Sequence, residues 1–198
     1  MKKSLLILFL FFLIAGLAKA QKPGLGQAKG LFMGVGVGPR VPIGKFADVQ
    51  NLGIGFEFTF SYTDNKVIPV FVYSSIGYEH YPGRQDFYKV SDYSSFSTNA
   101  VTMKFGARYY LPPLLDEGVL LMPIIEAGAT FTLYEKYHQF KLGTGRNSFT
   151  EDNFKTGFHA GVGVSMFIMD AVFSYNYLPY SEYISFDLRI RIPIFATL

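Results

Sequence analysis

The sequence contains no cysteine among its 198 residues. A chain without thiols has no disulfide framework, no thiolate metal site and no cysteine nucleophile, and it offers no cysteine for a lipid anchor. Both the architecture and any chemistry must therefore come from other side chains.

Charge is scarce as well, since 17% of the residues are charged and 49% are hydrophobic. The formal net charge is +3, but Lys2, Lys3 and Lys19 lie in the N-terminal leader described next. Without these lysines the chain holds 15 basic and 15 acidic residues. This balance excludes a basic nucleic-acid-binding surface as the main feature, and we expect no nucleic acid among the partners.

Long apolar runs are absent except near the N-terminus, where residues 5–18 are apolar without interruption. Two lysines precede this run, and an Ala-Lys-Ala triplet follows it with small residues at the positions that a signal peptidase reads. We predict a signal peptide over residues 1–20, cleaved before Gln21, and a single domain over residues 21–198. An uncleaved anchor is the alternative, but the run is short for a membrane helix, which needs about 20 residues.

Apolar and polar residues alternate with a period of two near the C-terminus. The even positions from Ile184 to Ile194 are all apolar, and the odd positions between them are Ser185, Asp187, Arg189, Arg191 and Pro193. Such alternation places the two sets on opposite faces of a β-strand. The same pattern is clear in residues 56–63, 101–110 and 158–166, and weaker in residues 31–38, 68–81, 122–134 and 171–177.

These eight predicted strands are joined by connections of unequal length. The long connections span residues 39–52, 83–99 and 141–153, and the short ones span residues 63–66, 112–118, 169–170 and 178–182. Membrane β-barrels have short periplasmic turns and longer extracellular loops. We therefore predict that the chain starts in the periplasm and that the long connections face outward.

Two kinds of barrel fit this alternation, because a soluble barrel buries its apolar face and a transmembrane barrel turns that face to lipid. The apolar faces sum to roughly forty large side chains, whereas the interior of an eight-stranded barrel is only just wide enough for side chains to fill it. The polar faces also carry many glycines, which relieve crowding in a narrow lumen. We therefore predict an all-β fold, an eight-stranded antiparallel up-and-down transmembrane β-barrel in a bacterial outer membrane.

Tyrosines near the ends of the predicted strands support the prediction that these ends lie at the two membrane interfaces, where amphipathic rings are enriched. Those expected at the outward interface are Tyr73, Tyr78, Tyr81, Tyr134, Tyr137, Tyr175, Tyr177, Tyr180 and Tyr183, and those expected at the periplasmic interface are Tyr62, Tyr109 and Tyr110.

Several segments resemble the small outer-membrane β-barrel family, the porin-like OMP β-barrel domain with the architecture of the OmpX and OmpA barrels. They are the leader, the Gly-Val-Gly-Val-Gly of residues 34–38, the Pro-Ile-Gly-Lys-Phe of residues 42–46, residues 51–56 and the closing strand Ile184–Phe195. The resemblance covers nearly all of the chain after the leader, although family members often end on an aromatic residue and this chain continues past Phe195. It implies a location among outer-membrane lipid and recognition of the C-terminal strand by the barrel-assembly machinery. It implies no single activity, since the members include structural, adhesive and unassigned proteins.

Charged residues on the polar faces form a predicted lumen charge network: Glu57, Lys104, Arg108, Glu126, Asp187, Arg189 and Arg191. Lys104 and Arg108 on the fourth strand neighbour Glu126 on the fifth, and His159 shares the inward face. A charge inside a barrel must be paired or hydrated. The network is therefore either an ion path or a salt-bridged plug, and the narrow lumen of eight strands favours the plug.

No catalytic, cofactor-binding or metal-binding residue is predicted. His159 and Ser165 share a strand face, but six residues at about 3.3 Å each separate them too far for a nucleophile–base hydrogen bond. His80 and His138 each lie near an acidic residue, but their spacing matches no metal site. We expect no enzyme activity and no cofactor.

The second long connection has aromatic residues interleaved with charged ones, which suits contact with an extracellular protein or glycan. The residues of this candidate surface are Arg84, Phe87, Tyr88, Tyr93 and Phe96. A loop packed over the barrel mouth is the alternative.

Two functions of different classes follow from the sequence. The first is a non-enzymatic barrel, expected to be a monomer, with a structural role in the envelope or a binding role through its outer loops. The second is a narrow pore for ions or small solutes.

Overall fold

The computed structural model describes residues 29–64, 68–114, 121–166 and 168–197, so the predicted signal peptide lies outside the described residues. Eight antiparallel strands form a closed ring in which each strand pairs with the next and the last pairs with the first. The strands are β1 Lys29–Pro42, β2 Gly53–Asp64, β3 Ile68–Pro82, β4 Tyr93–Tyr110, β5 Leu121–Phe140, β6 Phe149–Met166, β7 Met169–Tyr177 and β8 Tyr183–Thr197. The predicted eight-stranded up-and-down β-barrel is confirmed.

Two short helices lie in the first two of the connections that were predicted to face outward. Helix α1 (Lys45–Val49) joins β1 to β2, and helix α2 (Gln85–Val90) lies between β3 and β4. Among the residues that the structure describes, no helix is long and apolar enough to cross a membrane.

The apolar faces of the strands point away from the barrel. On β2, Phe58 is 43% exposed while Glu57 is 3% exposed, and on β8 Leu188 is 47% exposed while Asp187 is fully buried. A water-soluble protein has the opposite arrangement, since it buries apolar side chains and exposes charges. A closed backbone ladder with an apolar exterior is the construction of an integral membrane β-barrel.

The strands extend farther toward the end predicted to lie outside, here called the outer end, than the sequence pattern indicates. The three long outer connections span residues 43–52, 83–92 and 141–148, so the predictions of 39–52, 83–99 and 141–153 were too long. The antiparallel order places the short connection of residues 178–182 at the outer end as well. The added residues include Ser95 and Ser97, whose polar side chains share the outward face of β4 with the apolar Val101. Beyond the hydrocarbon a strand needs no apolar face, so the alternation fades while the backbone ladder continues.

One connection at the inner end is longer than predicted. β4 ends at Tyr110 and β5 begins at Leu121, whereas the sequence indicated a short turn over residues 112–118. Pro112 and Pro113 have no N–H group to donate to a ladder, but Leu111 N still donates to Pro123 O and Leu114 N to Leu121 O beyond the end of β4. Loop length therefore distinguishes the outer from the inner end less clearly than expected. The orientation of the barrel in the membrane stays a prediction.

Candidate functional site

The structure places the side chains of the predicted lumen network on inward strand faces. Six of them expose at most 5% of their surface: Glu57, Lys104, Arg108, Glu126, Asp187 and Arg189. The side chain of Arg191, nearer the inner end, is 12% exposed. The lumen is thus the place where the polar chemistry of this chain is concentrated.

Arg189 on β8 lies at the centre of the network. Its Nε donates to Glu57 Oε1 at 2.6 Å, and its Nη1 donates to Glu126 Oε2 at 2.9 Å. Lys104 Nζ lies 3.8 Å from Glu57 Oε2, so Lys104 reaches β2 rather than the neighbouring Glu126. Because Glu57 and Glu126 project from β2 and β5, one planar guanidinium with several fixed donors links three strands that are not adjacent.

The network continues toward the inner end through Arg108. This residue lies opposite Glu126 in the β4–β5 register, and its Nε donates to Glu126 Oε2 at 2.9 Å. Its Nη1 lies 3.5 Å from Asp170 Oδ2, and Arg191 Nη2 lies 3.5 Å from Asp170 Oδ1. The guanidinium of Arg191 also stacks over the ring of Tyr110 at 4.7 Å, which adds a cation–π contact at the inner end.

A second charge cluster lies toward the outer end, and of its charged residues the sequence prediction contained only Asp187. Arg40 Nε donates to Glu79 Oε1 at 2.9 Å, and Arg40 Nη1 lies 2.7 Å from Asp187 Oδ1. The hydroxyls of Tyr81 and Tyr183 donate to the two oxygens of Glu79 at 2.8 and 2.9 Å. The sequence reading missed Arg40 because it ended the first strand at residue 38. Continuing the alternation by one step would have placed Arg40 inside.

Opposite charges are balanced among the lumen residues that the structure describes. The buried acids with ion-pair partners are Glu57, Glu79, Glu126, Asp170 and Asp187, and the bases that face them are Arg40, Lys104, Arg108, Arg189 and Arg191. A buried ion is tolerated only when it is paired and hydrogen-bonded. Five acids facing five bases therefore favour mutual pairing over attraction of a mobile ion of either sign.

Glycines on the inward faces provide the space for these long side chains. A Cβ on Gly36 would lie 2.8 Å from Arg189 Cγ and 3.2 Å from Glu57 Cγ. A Cβ on Gly161 would lie 3.2 Å from Glu126 Cγ. The glycines of the polar faces therefore make room for the network, in agreement with the expectation that small residues relieve crowding in the lumen.

His159 is held by two other polar side chains of the lumen. Its Nε2 hydrogen-bonds the Tyr73 hydroxyl, and its Nδ1 lies 2.9 Å from Thr130 Oγ1. Ser165 accepts a hydrogen bond from Arg191 Nη2 at 3.3 Å. Both ring nitrogens of His159 are thus occupied, and Ser165 has a partner of its own.

An aromatic plug covers the charges at the outer end. Phe46 of α1 inserts into the barrel mouth, with its ring centroid 4.9 Å from that of Tyr81 and 6.2 Å from that of Tyr134. The Tyr81 and Tyr183 rings lie 6.0 Å apart, and Leu178 completes the buried cluster. We call Phe46, Tyr81, Tyr134, Leu178 and Tyr183 the mouth plug.

The mouth plug corrects part of the tyrosine prediction. Four tyrosines assigned to the outward membrane interface instead point into the barrel: Tyr73, Tyr81, Tyr134 and Tyr183. Tyr78, Tyr137 and Tyr177 remain on the exterior, each between 37% and 40% exposed. Residue type alone does not distinguish the two positions, because a tyrosine that donates to a buried carboxylate is as well satisfied as one at an interface.

Similar solved structures come from three bacterial sources. Neisserial surface protein A is 14% identical with a TM-score of 0.46, covering 84% of this chain and 99% of its own. Ail, the attachment invasion locus protein of Yersinia pestis, is 16% identical with a TM-score of 0.45, covering 85% and 100%. The N-terminal β-barrel domain of Pseudomonas aeruginosa OprF is 14% identical with a TM-score of 0.44, covering 84% and 100%. No protein-family model matches the sequence, and no curated protein matches it.

The aromatic residues of the candidate outer-loop surface pack against one another. The Phe87 ring lies 5.3 Å from the Tyr93 ring, the Tyr93 ring lies 5.8 Å from the Phe96 ring, and the Tyr88 hydroxyl donates to Phe96 O at 2.7 Å. Phe96 is only 7% exposed. The side chain of Arg84 contacts α1 instead, where its Nη1 donates to Ala47 O at 3.0 Å. The structure therefore brings the four rings together, and the side chain of Arg84 points toward α1, although its backbone O accepts from Tyr88 N at 3.4 Å.

The remaining histidines lie near the outer end of the barrel. His80 Nδ1 is 2.7 Å from Asn99 Oδ1, and His138 Nε2 is 3.4 Å from Glu151 Oε2. Within the described ranges, no group of three or more histidine, cysteine, aspartate or glutamate side chains could hold a metal ion.

Proposed function

We propose that the protein is a non-enzymatic, integral β-barrel of the bacterial outer membrane that does not conduct. In this proposal its role is structural, or is exerted at the cell surface by the outer connections. The observation that carries the proposal is the filled lumen, in which five acids pair with five bases beneath the mouth plug.

The width of the barrel supports closure. An eight-stranded barrel leaves an interior just wide enough for side chains, and here that interior contains arginine, tyrosine and phenylalanine. Arg189 alone spans from β8 to Glu57 and Glu126 on distant strands. An ion entering this path would have to displace ion pairs that are shielded from water, which costs several kcal/mol per ion.

The state of the candidate catalytic groups supports the absence of enzyme activity. A nucleophile and its base must lie within about 3.2 Å of each other. His159 is instead bound to Tyr73 and Thr130, and Ser165 to Arg191. The charged groups of the lumen are likewise bound to each other, so they offer no free general acid or base.

Conductance across a planar bilayer tests the proposal. We expect the refolded barrel to give no steady current, and we expect Phe46→Ala to give none either, because the ion pairs lie beneath the mouth plug. Folding is checked for both by their heat-modifiable mobility on gels, and a known porin reconstituted in the same way is the positive control. Large, steady single-channel currents from the unmodified protein would overturn the proposal and favour the alternative function, a narrow pore.

A further inference from the structure

Two cavities adjoin each other on the outside of the barrel near its outer end. The lower cavity, of about 350 Å³, lies against the ends of β1, β2 and β3, where Pro39, Ile54 and Pro82 line it. The upper cavity, of about 550 Å³, lies between the helical connections, where Asn51 and Arg84 line it. Leu52 lines both cavities. Each volume lies in the range of known ligand sites, about 300–1,000 Å³.

The two cavities lie one above the other along the membrane normal, and they differ in chemistry. The lower one continues the apolar exterior, since Ile54 is 60% exposed and lies opposite Pro39 in the β1–β2 register. A proline at this position projects little beyond the strand, and this leaves a depression beside Ile54. The upper one has a mixed lining, which includes Val41 and Pro42 as well as the polar side chains of Arg84, Gln85 and Asp86. An apolar pocket below a pocket that also holds polar and charged groups is complementary to an amphiphile.

We propose that this double cavity binds one lipid of the outer leaflet, with an acyl chain in the lower cavity and a phosphate-bearing headgroup in the upper cavity. The site rests on the proposed placement of the barrel in the outer membrane with its helical connections outside. A soluble anion would use the upper cavity alone, whereas the continuity of the lower cavity with the lipid-facing surface requires a ligand that has a chain.

Arg84 is the residue that recognises the headgroup. Its backbone N–H donates to Val49 O and its Nη1 donates to Ala47 O, both at 3.0 Å, so two hydrogen bonds to the first helical connection fix its position. The side chain is still 44% exposed. Its Nη2 lies 3.7 Å from Asp86, which is 73% exposed, and such surface pairs are weak enough to exchange partners. A phosphate accepts paired hydrogen bonds from a guanidinium, and this geometry is stronger than a single ion contact.

Lipid binding to the full barrel in a neutral detergent, measured by native mass spectrometry, tests the site. The probes are diphosphorylated lipid A, the same lipid without phosphates, and inorganic phosphate. Arg84→Gln removes the headgroup contact, and Leu52→Asp places a charge between the two cavities. Arg146→Gln is the matched control, because Arg146 is also an exposed outer-loop arginine in a surface pair, 3.6 Å from Asp92.

We expect Arg84→Gln to weaken binding of diphosphorylated lipid A about tenfold and to leave binding of the dephosphorylated lipid unchanged. We expect Leu52→Asp to abolish binding of both lipids. Neither Arg146→Gln nor an excess of inorganic phosphate should change the binding of either lipid. Equal losses in Arg84→Gln and Arg146→Gln would mean general charge attraction and would overturn the site. Displacement of the lipid by inorganic phosphate would also overturn it in favour of a soluble anion. A folded, detergent-dependent and non-conducting barrel that binds no lipid A would refute this site alone, whereas a water-soluble barrel would refute the proposed function as well.

Discussion

At the scale of single residues, the two central carboxylates of the lumen each depend on more than one partner. Glu126 accepts from Arg189 and Arg108, and Glu57 contacts Arg189 and Lys104. Removing one partner from a buried pair is far more costly than replacing the whole pair by apolar groups, because the remaining charge is left uncompensated. We therefore expect the network to favour the observed register of the strands, in which these charges are paired.

Replacing Arg189 by methionine should destabilise the barrel by about 3–5 kcal/mol, because a buried partner is removed from Glu57 and from Glu126. Urea-induced unfolding of the protein in lipid vesicles measures the change. Arg146→Met is the control: its arginine is 59% exposed in an outer connection, and its substitution should shift the free energy of unfolding by at most about 0.5 kcal/mol. Similar stabilities for the two variants would show that the network contributes little.

At the scale of the strand, the face that a residue occupies determines which solvent it meets. Leu188 lies on the lipid-facing side of β8 between Ala171 and Val37, and Ile194 is an exposed residue closer to the inner end, where the pairing of β8 with β1 shifts register. An arginine costs more near the middle of the hydrocarbon than close to its boundary. The depth of a substitution therefore matters as much as its chemistry.

We expect Leu188→Arg to cost about 2–4 kcal/mol and Ile194→Arg to cost only about 0–1 kcal/mol, as for the midplane and the interface of other barrels. Both changes introduce the same side chain at an exposed apolar position of β8, so the comparison tests depth. The free energy of unfolding in lipid vesicles is again the measurement. Equal costs would show that Leu188 does not lie near the middle of the hydrocarbon.

At the scale of the whole molecule, the barrel is a closed cylinder with its helices at one end. The mouth plug is buried at that end, while Arg191 and Tyr110 lie toward the other. Any surface that other molecules reach from outside is thus limited to the outer connections and the rim. A role at the cell surface therefore depends on which end of the barrel faces the cell exterior.

Single cysteines can determine the orientation, because the chain has no cysteine of its own. Leu142, fully exposed in the third outer connection, and Leu114, 67% exposed at the inner end, are the two positions. We expect a maleimide too large to cross the outer membrane to label Leu142→Cys on intact cells, and to label Leu114→Cys only after the membrane is permeabilised. The reverse pattern would show that the barrel is inserted the other way.

The sequence by itself determined the strand count, the antiparallel order and the face of each strand that meets lipid. These properties are local, because period-two alternation such as that of Phe58 against Glu57 depends only on the strand pleat and on which solvent lies on each side. The alternation fails where that solvent changes, and for this reason the outer ends of β1, β4 and β6 were assigned to connections. Arg40 was missed with them.

The tertiary structure alone decided which charges meet and which tyrosines point inward. Arg189 joins Glu57 and Glu126 because closure of the ring brings β8, β2 and β5 around one narrow space, and no spacing along the chain encodes that distance. The placement of Phe46 in the barrel mouth likewise depends on how the first connection folds back over β3 and β5. Alternation assigns a side chain to the lumen, but its partner across the lumen is fixed by strand register and by the diameter of the closed barrel.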